Sequence, residues 1–116
     1  MRDIESKEDI TRLVEQFYDK VLNDDLIRSF FNGIDFEHHL PKMVHFWSFV
    51  LLNEPGYRND VTKTHINMDL KKEHFDRWIE LFNETVNELF AGEKAETAKQ
   101  RAFLIRWTIE SKIKEK

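Results

Sequence analysis

The sequence predicts an all-α protein of about five helices around one core, and three observations lead to that prediction. The 116 residues include only 3 Gly and 2 Pro, too little turn-forming material for a fold of many short strands. Apolar residues recur at helical spacing along most of the chain. The length suits a single domain, residues 1–116, that can bury one core.

The first helix begins at a capping box and ends at a polar triplet. Ser6 is followed three residues later by Asp9, a pairing that is typical of a helix N-terminus. The apolar stripe that follows consists of Ile10, Leu13, Val14, Phe17, Tyr18 and Val21. After the break at Asn23-Asp24-Asp25, a short second helix is expected to carry Leu26, Ile27, Phe30 and Phe31 before Asn32-Gly33.

The later helices are separated by a segment of weak periodicity. A third helix covers about His39 to Leu52, with Pro41 near its start, where a missing N–H costs nothing. After it, residues 57–70 are expected to form a loop with about one helical turn. The fourth helix has the clearest apolar stripe, made of Phe75, Trp78, Ile79, Phe82, Val86, Leu89 and Phe90. The last helix starts near Ala95 and buries Ala98, Ala102, Ile105 and Ile109.

Composition and charge exclude several classes of protein. The 18 Lys and Arg residues against 22 Asp and Glu give a net charge of −4, which argues against a nucleic-acid or anionic-membrane partner. No apolar run reaches the roughly 18 residues of a membrane span, and the N-terminus does not resemble a signal peptide. There are 0 Cys residues, hence no thiolate ligand and no cysteine nucleophile. We expect a cytoplasmic protein.

Polar side chains on apolar helix faces are the candidates for chemistry. His39 shares one face of the third helix with Met43 and Phe46, so it is expected to point inward. Tyr18 and Trp78 lie on buried stripes and bring a hydroxyl and an indole donor inside. Singly, these residues also have ordinary explanations as core or surface side chains. The same holds for outward-facing His38 and His45, for His65 in its loop, for His74 at a helix start, and for Trp47 and Trp107 as packing residues.

Together these residues describe one chemistry. A flat apolar cofactor would be walled by Phe and Met side chains, with a neutral imidazole on one side. Polar donors from Tyr18, His39 and Trp78 would lie on the other side. That combination is the equipment of a haem pocket, in which distal hydrogen-bond donors decide the fate of a bound diatomic ligand.

Motifs over nearly the whole chain resemble the truncated haemoglobins, most closely their third group. Their order and spacing carry the resemblance. The motifs are Phe17-Tyr18-x-x-Val21 with Phe30-Phe31, His39-Leu40-Pro41-Lys42-Met43 with Phe46-Trp47, Tyr57 with His65, His74-Phe75-x-x-Trp78, and Ala98-x-x-Arg101-Ala102-x-x-Ile105. The family often has Tyr-x-Gly-x-Pro before the proximal histidine, whereas this chain has Tyr57-Arg58-Asn59-Asp60-Val61. Asn can take the left-handed conformation that Gly would supply.

The resemblance implies a two-over-two helical sandwich that binds haem b. It implies His65 as the axial iron ligand, and Tyr18, His39 and Trp78 as the residues that face a bound ligand and carry any catalysis. The residues implied as pocket walls are Phe31, Phe36, Met43, Phe46 and Phe75, and those within reach of a haem propionate are Lys42 and Arg58.

Three donors around one ligand favour chemistry over transport, because tight binding slows O₂ release. We expect a monomer or weak dimer that binds O₂, NO, CO or peroxide. NO detoxification or peroxide chemistry, served by a reductase, is favoured over O₂ transport. The alternative is a cofactor-free helical interaction module whose aromatic residues form an ordinary core.

Overall fold

In the part of the chain that the structure describes, four α-helices and one 3-10 turn follow one another. The computed structural model describes residues 1–56 and 69–114. The helices are α1 (Lys7–Leu22), α2 (Phe36–Leu52), α3 (Lys72–Leu89) and α4 (Glu93–Lys114), and the 3-10 turn covers Arg28–Phe31. Those two ranges contain no strand, so the all-α prediction is confirmed. The expected short second helix is the 3-10 turn.

The four helices form a two-over-two sandwich. Helix α1 packs against α2 and α3, and α4 packs against α3 and α2. Large side chains that are almost completely buried lie on α1 and α3, with Ile4 beside them; they include Ile4, Ile10, Leu13, Val21, Phe82, Thr85 and Val86. Burying apolar surface of this kind is the main favourable term in folding.

The start of α1 is held by a capping box and an ion pair. The Ser6 hydroxyl accepts from the Asp9 N–H at 3.3 Å, and the Asp9 carboxylate accepts from the Ser6 N–H at 3.2 Å. Asp9 is buried and also binds the Arg2 guanidinium, with Nη1 2.6 Å from Oδ2. The hydrogen bond from Arg2 outweighs burial and holds the pKa of Asp9 well below its ordinary value. The predicted capping box is confirmed.

The N-terminal segment also caps α4, far along the chain. The Asp3 carboxylate accepts from the Lys94 and Ala95 N–H groups, each at 2.9 Å. The Ala91 N–H donates to the Arg2 carbonyl at 3.1 Å. These bonds satisfy amides that a helix start leaves without partners. The first residues of the chain therefore fix where α4 begins.

Helix α2 starts at Phe36 rather than near His39, because Asp35 caps it and accepts from the Glu37 N–H at 3.1 Å. Pro41 consequently lies inside the helix and not in its first turn. The expected end is confirmed, since Asn53 adopts the left-handed conformation with φ 60° and ψ 27°.

Helix α4 turns a small-residue face to the core and an apolar face to solvent. Ala98, Ala102 and Ile109 are buried as expected. Trp107 is 62% exposed, so its expected packing role is wrong, whereas Trp47 is buried. The reason is rotational, because a residue five positions after Ala102 lies on the opposite side of the helix.

No helix in the described ranges is both long and apolar enough to cross a membrane.

We predict that Gly92→Ala destabilises the fold by more than about 1 kcal/mol beyond the cost of Gly33→Ala. Both glycines have positive φ, at 143° and 83°. A Cβ at position 92 would lie 2.5 Å from the Asp3 Cγ, whereas one at position 33 meets nothing within 4 Å. Asp3 cannot yield without releasing the α4 amides. Urea unfolding of both variants measures the difference, and equal midpoints would contradict it.

Candidate functional site

A cavity of about 290 Å³ lies among the four helices and the 3-10 turn. Most of its wall is aromatic or aliphatic. The apolar lining residues are Val14, Phe17, Ile27, Phe30, Phe31, Ile34, Met43, Phe46, Trp47, Leu70, Phe75, Phe82, Ile105 and Ile109. The polar ones are Tyr18, His39, His74, Trp78 and Arg106. Ligand sites commonly have this form, an apolar concavity with a few convergent polar groups.

Interlocked rings form one wall of the cavity. The Phe82 ring is stacked between Trp47, at 5.0 Å between centroids and 21°, and Trp78, at 6.1 Å and 20°. The Phe17 ring meets Phe82 edge-on at 5.2 Å and Trp78 at 6.0 Å. Stacked and edge-on pairs are favourable arrangements for aromatic quadrupoles. Residues from α1, α2 and α3 thus present a rigid apolar surface with the Trp78 indole within it.

A tyrosine–histidine pair lies on the cavity wall between α1 and α2. The Tyr18 hydroxyl oxygen is 2.9 Å from His39 Nε2. The Phe31 and Phe36 rings pack edge-on against Tyr18, at 5.8 Å and 5.5 Å between centroids. Phe36 also packs against the His39 ring at 5.9 Å. The inward orientation expected of His39 is therefore present, and its ring is held from behind.

Burial keeps the Tyr18 hydroxyl protonated. Tyr18 is buried, and desolvation of the phenolate raises the pKa of Tyr18 far above its ordinary value. A tyrosine hydroxyl has one proton to donate. It can therefore donate either to His39 Nε2 or into the cavity, but not to both. Tyr18 and His39 act as one coupled unit rather than as two independent donors.

Trp78 brings a second donor to the cavity from α3. It is partly buried and packs against the core cluster. In the part of the chain that the structure describes, no acceptor for its indole N–H is found. Since an indole nitrogen can only donate, Trp78 is suited to an acceptor inside the cavity.

The structure brings together half of the residues implied as cofactor contacts. Phe31, Met43, Phe46 and Phe75 line the cavity along with Tyr18, His39 and Trp78. Phe36 is not part of the lining and packs behind the Tyr18–His39 pair. Lys42 is exposed and does not line the cavity. His65, Arg58 and Tyr57 lie outside the described residues.

Sequence reasoning missed two polar residues of the cavity wall. His74 does occupy the expected helix start, where its Nδ1 accepts from the Lys71 N–H at 2.9 Å, but it also lines the cavity. Arg106 lines the cavity beside Phe75, and its guanidinium binds Asp76 at 2.6 Å. The sequence does contain a signal for His74. It precedes Trp78 by four residues, so the two side chains lie on the same face of the helix.

The other described histidines have surface roles. His38 is exposed and lies 2.7 Å from the Asp35 carboxylate, and His45 Nε2 lies 3.3 Å from the Pro55 carbonyl oxygen. Within residues 1–56 and 69–114, no group of three or more His, Asp or Glu side chains is arranged to hold a metal ion.

A helical sandwich around a ring-lined cavity with a Tyr–His pair is the architecture of a small globin. Comparison with known proteins gives the family. The profile of the bacterial-like globin family matches residues 3–108. The group 3 truncated hemoglobin ctb of Campylobacter jejuni is 31% identical over 107 residues, which are 86% of this chain and 84% of that protein. A group 1 truncated hemoglobin of Tetrahymena pyriformis is 34% identical over 77 residues, 66% of this chain and 64% of that protein.

Solved structures show the same fold. The crystal structure of the group III truncated hemoglobin from Campylobacter jejuni superposes with a TM-score of 0.87 at 29% identity, covering 97% of this chain and 95% of that chain. The truncated hemoglobin from Tetrahymena pyriformis in its Fe(III) form gives a TM-score of 0.71 at 26% identity, covering 90% and 87%. The chain belongs to the bacterial-like globin family, as a truncated haemoglobin of group three. Membership in this family implies haem binding and gaseous ligands.

We predict that Tyr18 forms no phenolate near pH 10, where an exposed tyrosine is half ionised. Burial raises its pKa, so the wild type and Tyr18→Phe should gain the same tyrosinate absorbance near 295 nm up to about pH 11. The chain has 2 Tyr residues, and the contribution of Tyr57 is common to both proteins. A larger gain in the wild type would contradict the buried position of the hydroxyl.

Proposed function

We propose that the protein holds haem b in this cavity with His65 as the axial iron ligand. We propose further that it carries out redox chemistry on NO or peroxide rather than O₂ transport. The single observation that carries the proposal is the 2.9 Å contact between the Tyr18 hydroxyl and His39 Nε2 inside a ring-lined cavity. Family membership supports the cofactor, and the polar pair supports the chemistry.

The residues present fit a porphyrin. Flat rings and the Met43 side chain line the cavity, which suits a flat apolar macrocycle. When bound, haem supplies an iron that takes O₂, NO or CO and reacts with peroxide. Phe31, Met43, Phe46 and Phe75 would contact the macrocycle. Phe36 would act indirectly, because it packs against the rings of Tyr18 and His39 and holds them in place.

His65 is proposed from the family resemblance, with two supporting observations. Leu70 lines the cavity, and five residues of chain span at most about 18 Å, so the chain can bring position 65 to the iron. The described histidines on the wall are engaged in other ways, His39 with Tyr18 and His74 with Lys71. A neutral imidazole is the usual axial ligand of globins.

The distal side chains control the proton as well as the ligand. Tyr18 keeps its proton, so it donates to a polar ligand when His39 in turn donates from Nε2 to the Tyr18 oxygen. Trp78 adds a second donor from α3. A hydrogen bond to a charged acceptor contributes about 1.5–3 kcal/mol, which slows release of O₂. His39 can also take up or return a proton through Tyr18, as acid–base chemistry on peroxide requires.

The remaining parts of the proposal concern partners and location. Turnover needs electrons, so a reductase is part of the proposal, as are a cytoplasmic location and a monomer or weak dimer. Lys42 and Arg58 are retained as contacts for the haem propionates, although Lys42 is exposed and outside the cavity lining.

We predict that protein reconstituted with haemin has a strong Soret band and that His65→Ala loses the iron–histidine signature. The reason is that the imidazole of His65 is proposed to bind the iron, and alanine has no group that can replace it. Absorbance spectra of ferric, ferrous and CO-bound forms measure this, with His38→Ala as a matched control on the surface. Folded wild-type protein without a Soret band would overturn the proposal in favour of the cofactor-free helical module. A signature that survives His65→Ala would overturn the ligand assignment alone.

We predict that Tyr18→Phe and Trp78→Phe each speed O₂ dissociation by roughly tenfold, because each removes one donor. Stopped-flow displacement of O₂ by CO measures the rates. Trp107→Phe is the matched control, since Trp107 is exposed on α4. Turnover of NO or peroxide that stays at the wild-type rate in Tyr18→Phe would limit Tyr18 to ligand binding.

A further inference from the structure

His74 is a polar group of the cavity wall to which the proposed function gives no role. We propose that His74 binds the edge of the cofactor, with its Nε2–H donating to a propionate carboxylate of haem. This inference rests on the proposed cofactor and adds a binding residue that the family resemblance did not include. It stands on the hydrogen bonding of the ring, its packing and its position at the cavity.

The tautomer of His74 is fixed by the backbone of its own helix. Its Nδ1 lies 2.9 Å from the Lys71 nitrogen. A backbone N–H can only donate, so Nδ1 must accept, and the proton of the neutral ring is on Nε2. Nε2 lies on the other side of the ring from Nδ1. In the described ranges, no protein acceptor for the Nε2–H is found.

The same bond argues against His74 as an iron ligand. An imidazole that binds iron through Nε2 has its proton on Nδ1. That proton would face the Lys71 N–H, and two donors cannot share a hydrogen bond. His74 would have to give up the cap of α3 in order to coordinate a metal. In this tautomer, His74 presents an N–H that needs a hydrogen-bond acceptor. An iron ligand must instead present a nitrogen lone pair.

Ring packing holds His74 at the edge of the cavity. The Phe30 ring lies 4.8 Å from the His74 ring at an angle of 69°. His74 is half-buried in the first turn of α3, next to exposed Lys71, Lys72 and Glu73. A donor placed between the cavity and solvent suits an acceptor that is charged and partly hydrated, because a fully buried charge is costly.

The propionates are the charged acceptors that haem presents at its periphery. Of the other polar residues of the wall, Tyr18 and His39 are bonded to each other. Arg106 lies 2.6 Å from the Asp76 carboxylate and 3.5 Å from that of Glu110. Two carboxylates therefore already neutralise Arg106. Apart from Trp78, whose indole N–H is assigned to the ligand, His74 is the described wall residue with a donor that these contacts leave for the cofactor.

The test compares two substitutions of matched size, His74→Gln and His74→Glu. Both place an acceptor at the third helical position, where a Gln or Glu side chain can still cap the Lys71 N–H. Gln retains an N–H donor, whereas Glu presents a carboxylate that repels a propionate. Gln100→Glu makes the same Gln-to-Glu change on the exposed side of α4 and serves as the control.

Two readouts that do not depend on activity separate the outcomes. The first is the rate at which each ferric holoprotein loses haem to an excess of a haem-scavenging apoglobin. The second is the affinity of each apoprotein for zinc protoporphyrin and for its dimethyl ester, measured by fluorescence. Esterification removes the charge of the propionates and leaves the macrocycle unchanged.

We expect His74→Glu to lose haem at least roughly tenfold faster than His74→Gln, with Gln100→Glu at the wild-type rate. With the dimethyl ester, the two position-74 variants should bind within about threefold of each other. Equal rates of haem loss from His74→Gln and His74→Glu would overturn the role of His74 and leave the proposed function standing. The same conclusion would follow if the two variants differed in affinity for the dimethyl ester as much as for zinc protoporphyrin. Wild-type protein that binds no porphyrin would instead overturn the proposed function itself.

Discussion

Four aromatic rings that pack against one another where α1, α2 and α3 meet fix one wall of the cavity. Phe82 is almost completely buried and stacks on Trp47 and Trp78, while Phe17 meets two of these rings edge-on. Each such pair contributes about 0.5–1.5 kcal/mol beyond the burial of its area. The rings come from three helices, so the same contacts that stabilise the core also fix the wall of the site. The orientation of the Trp78 indole is a consequence of core packing.

A second constraint on the site is that the Tyr18 hydroxyl has a single proton to donate, whereas His39 Nε2 and a ligand in the cavity can each accept it. Desolvation keeps that proton on the oxygen and raises the pKa of the phenol, and His39 Nε2 lies within hydrogen-bond distance. Which of the two rings donates to the other depends on the tautomer of His39. A ligand that takes the Tyr18 proton as a hydrogen bond therefore selects the tautomer of His39. The binding site and the protonation of its neighbour are coupled through one contact.

Much of the fold could be predicted from the sequence because its signals are local. The stripe from Phe75 to Phe90 and the box at Ser6 and Asp9 each belong to one helix and its cap. The failures concern relations between helices. Trp107 has the same local pattern as a buried residue, and only the rotation of α4 exposes it. The cap that Asp3 provides for α4 joins segments about 90 residues apart, which no local pattern can indicate.

The candidate site was predicted unevenly for the same reason. Tyr18, His39 and Trp78 were found because a polar group on an apolar stripe is conspicuous in sequence. His74 and Arg106 were missed because each also has a local explanation, as a helix cap and as half of an ion pair. When a side chain has one role within its own helix and another between helices, the sequence pattern indicates only the first. Its second role depends on which helix packs opposite it.

The cavity also affects how long the folded chain survives. An occupant of the cavity of about 290 Å³ contacts the side chains that line it. An occupant that binds only the folded form adds stability by mass action, by about 2.7 kcal/mol at a hundred times its dissociation constant. Proteases act on the unfolded fraction, so degradation slows as the occupant becomes plentiful. With haem as the occupant, haem binding and resistance to proteolysis are therefore linked.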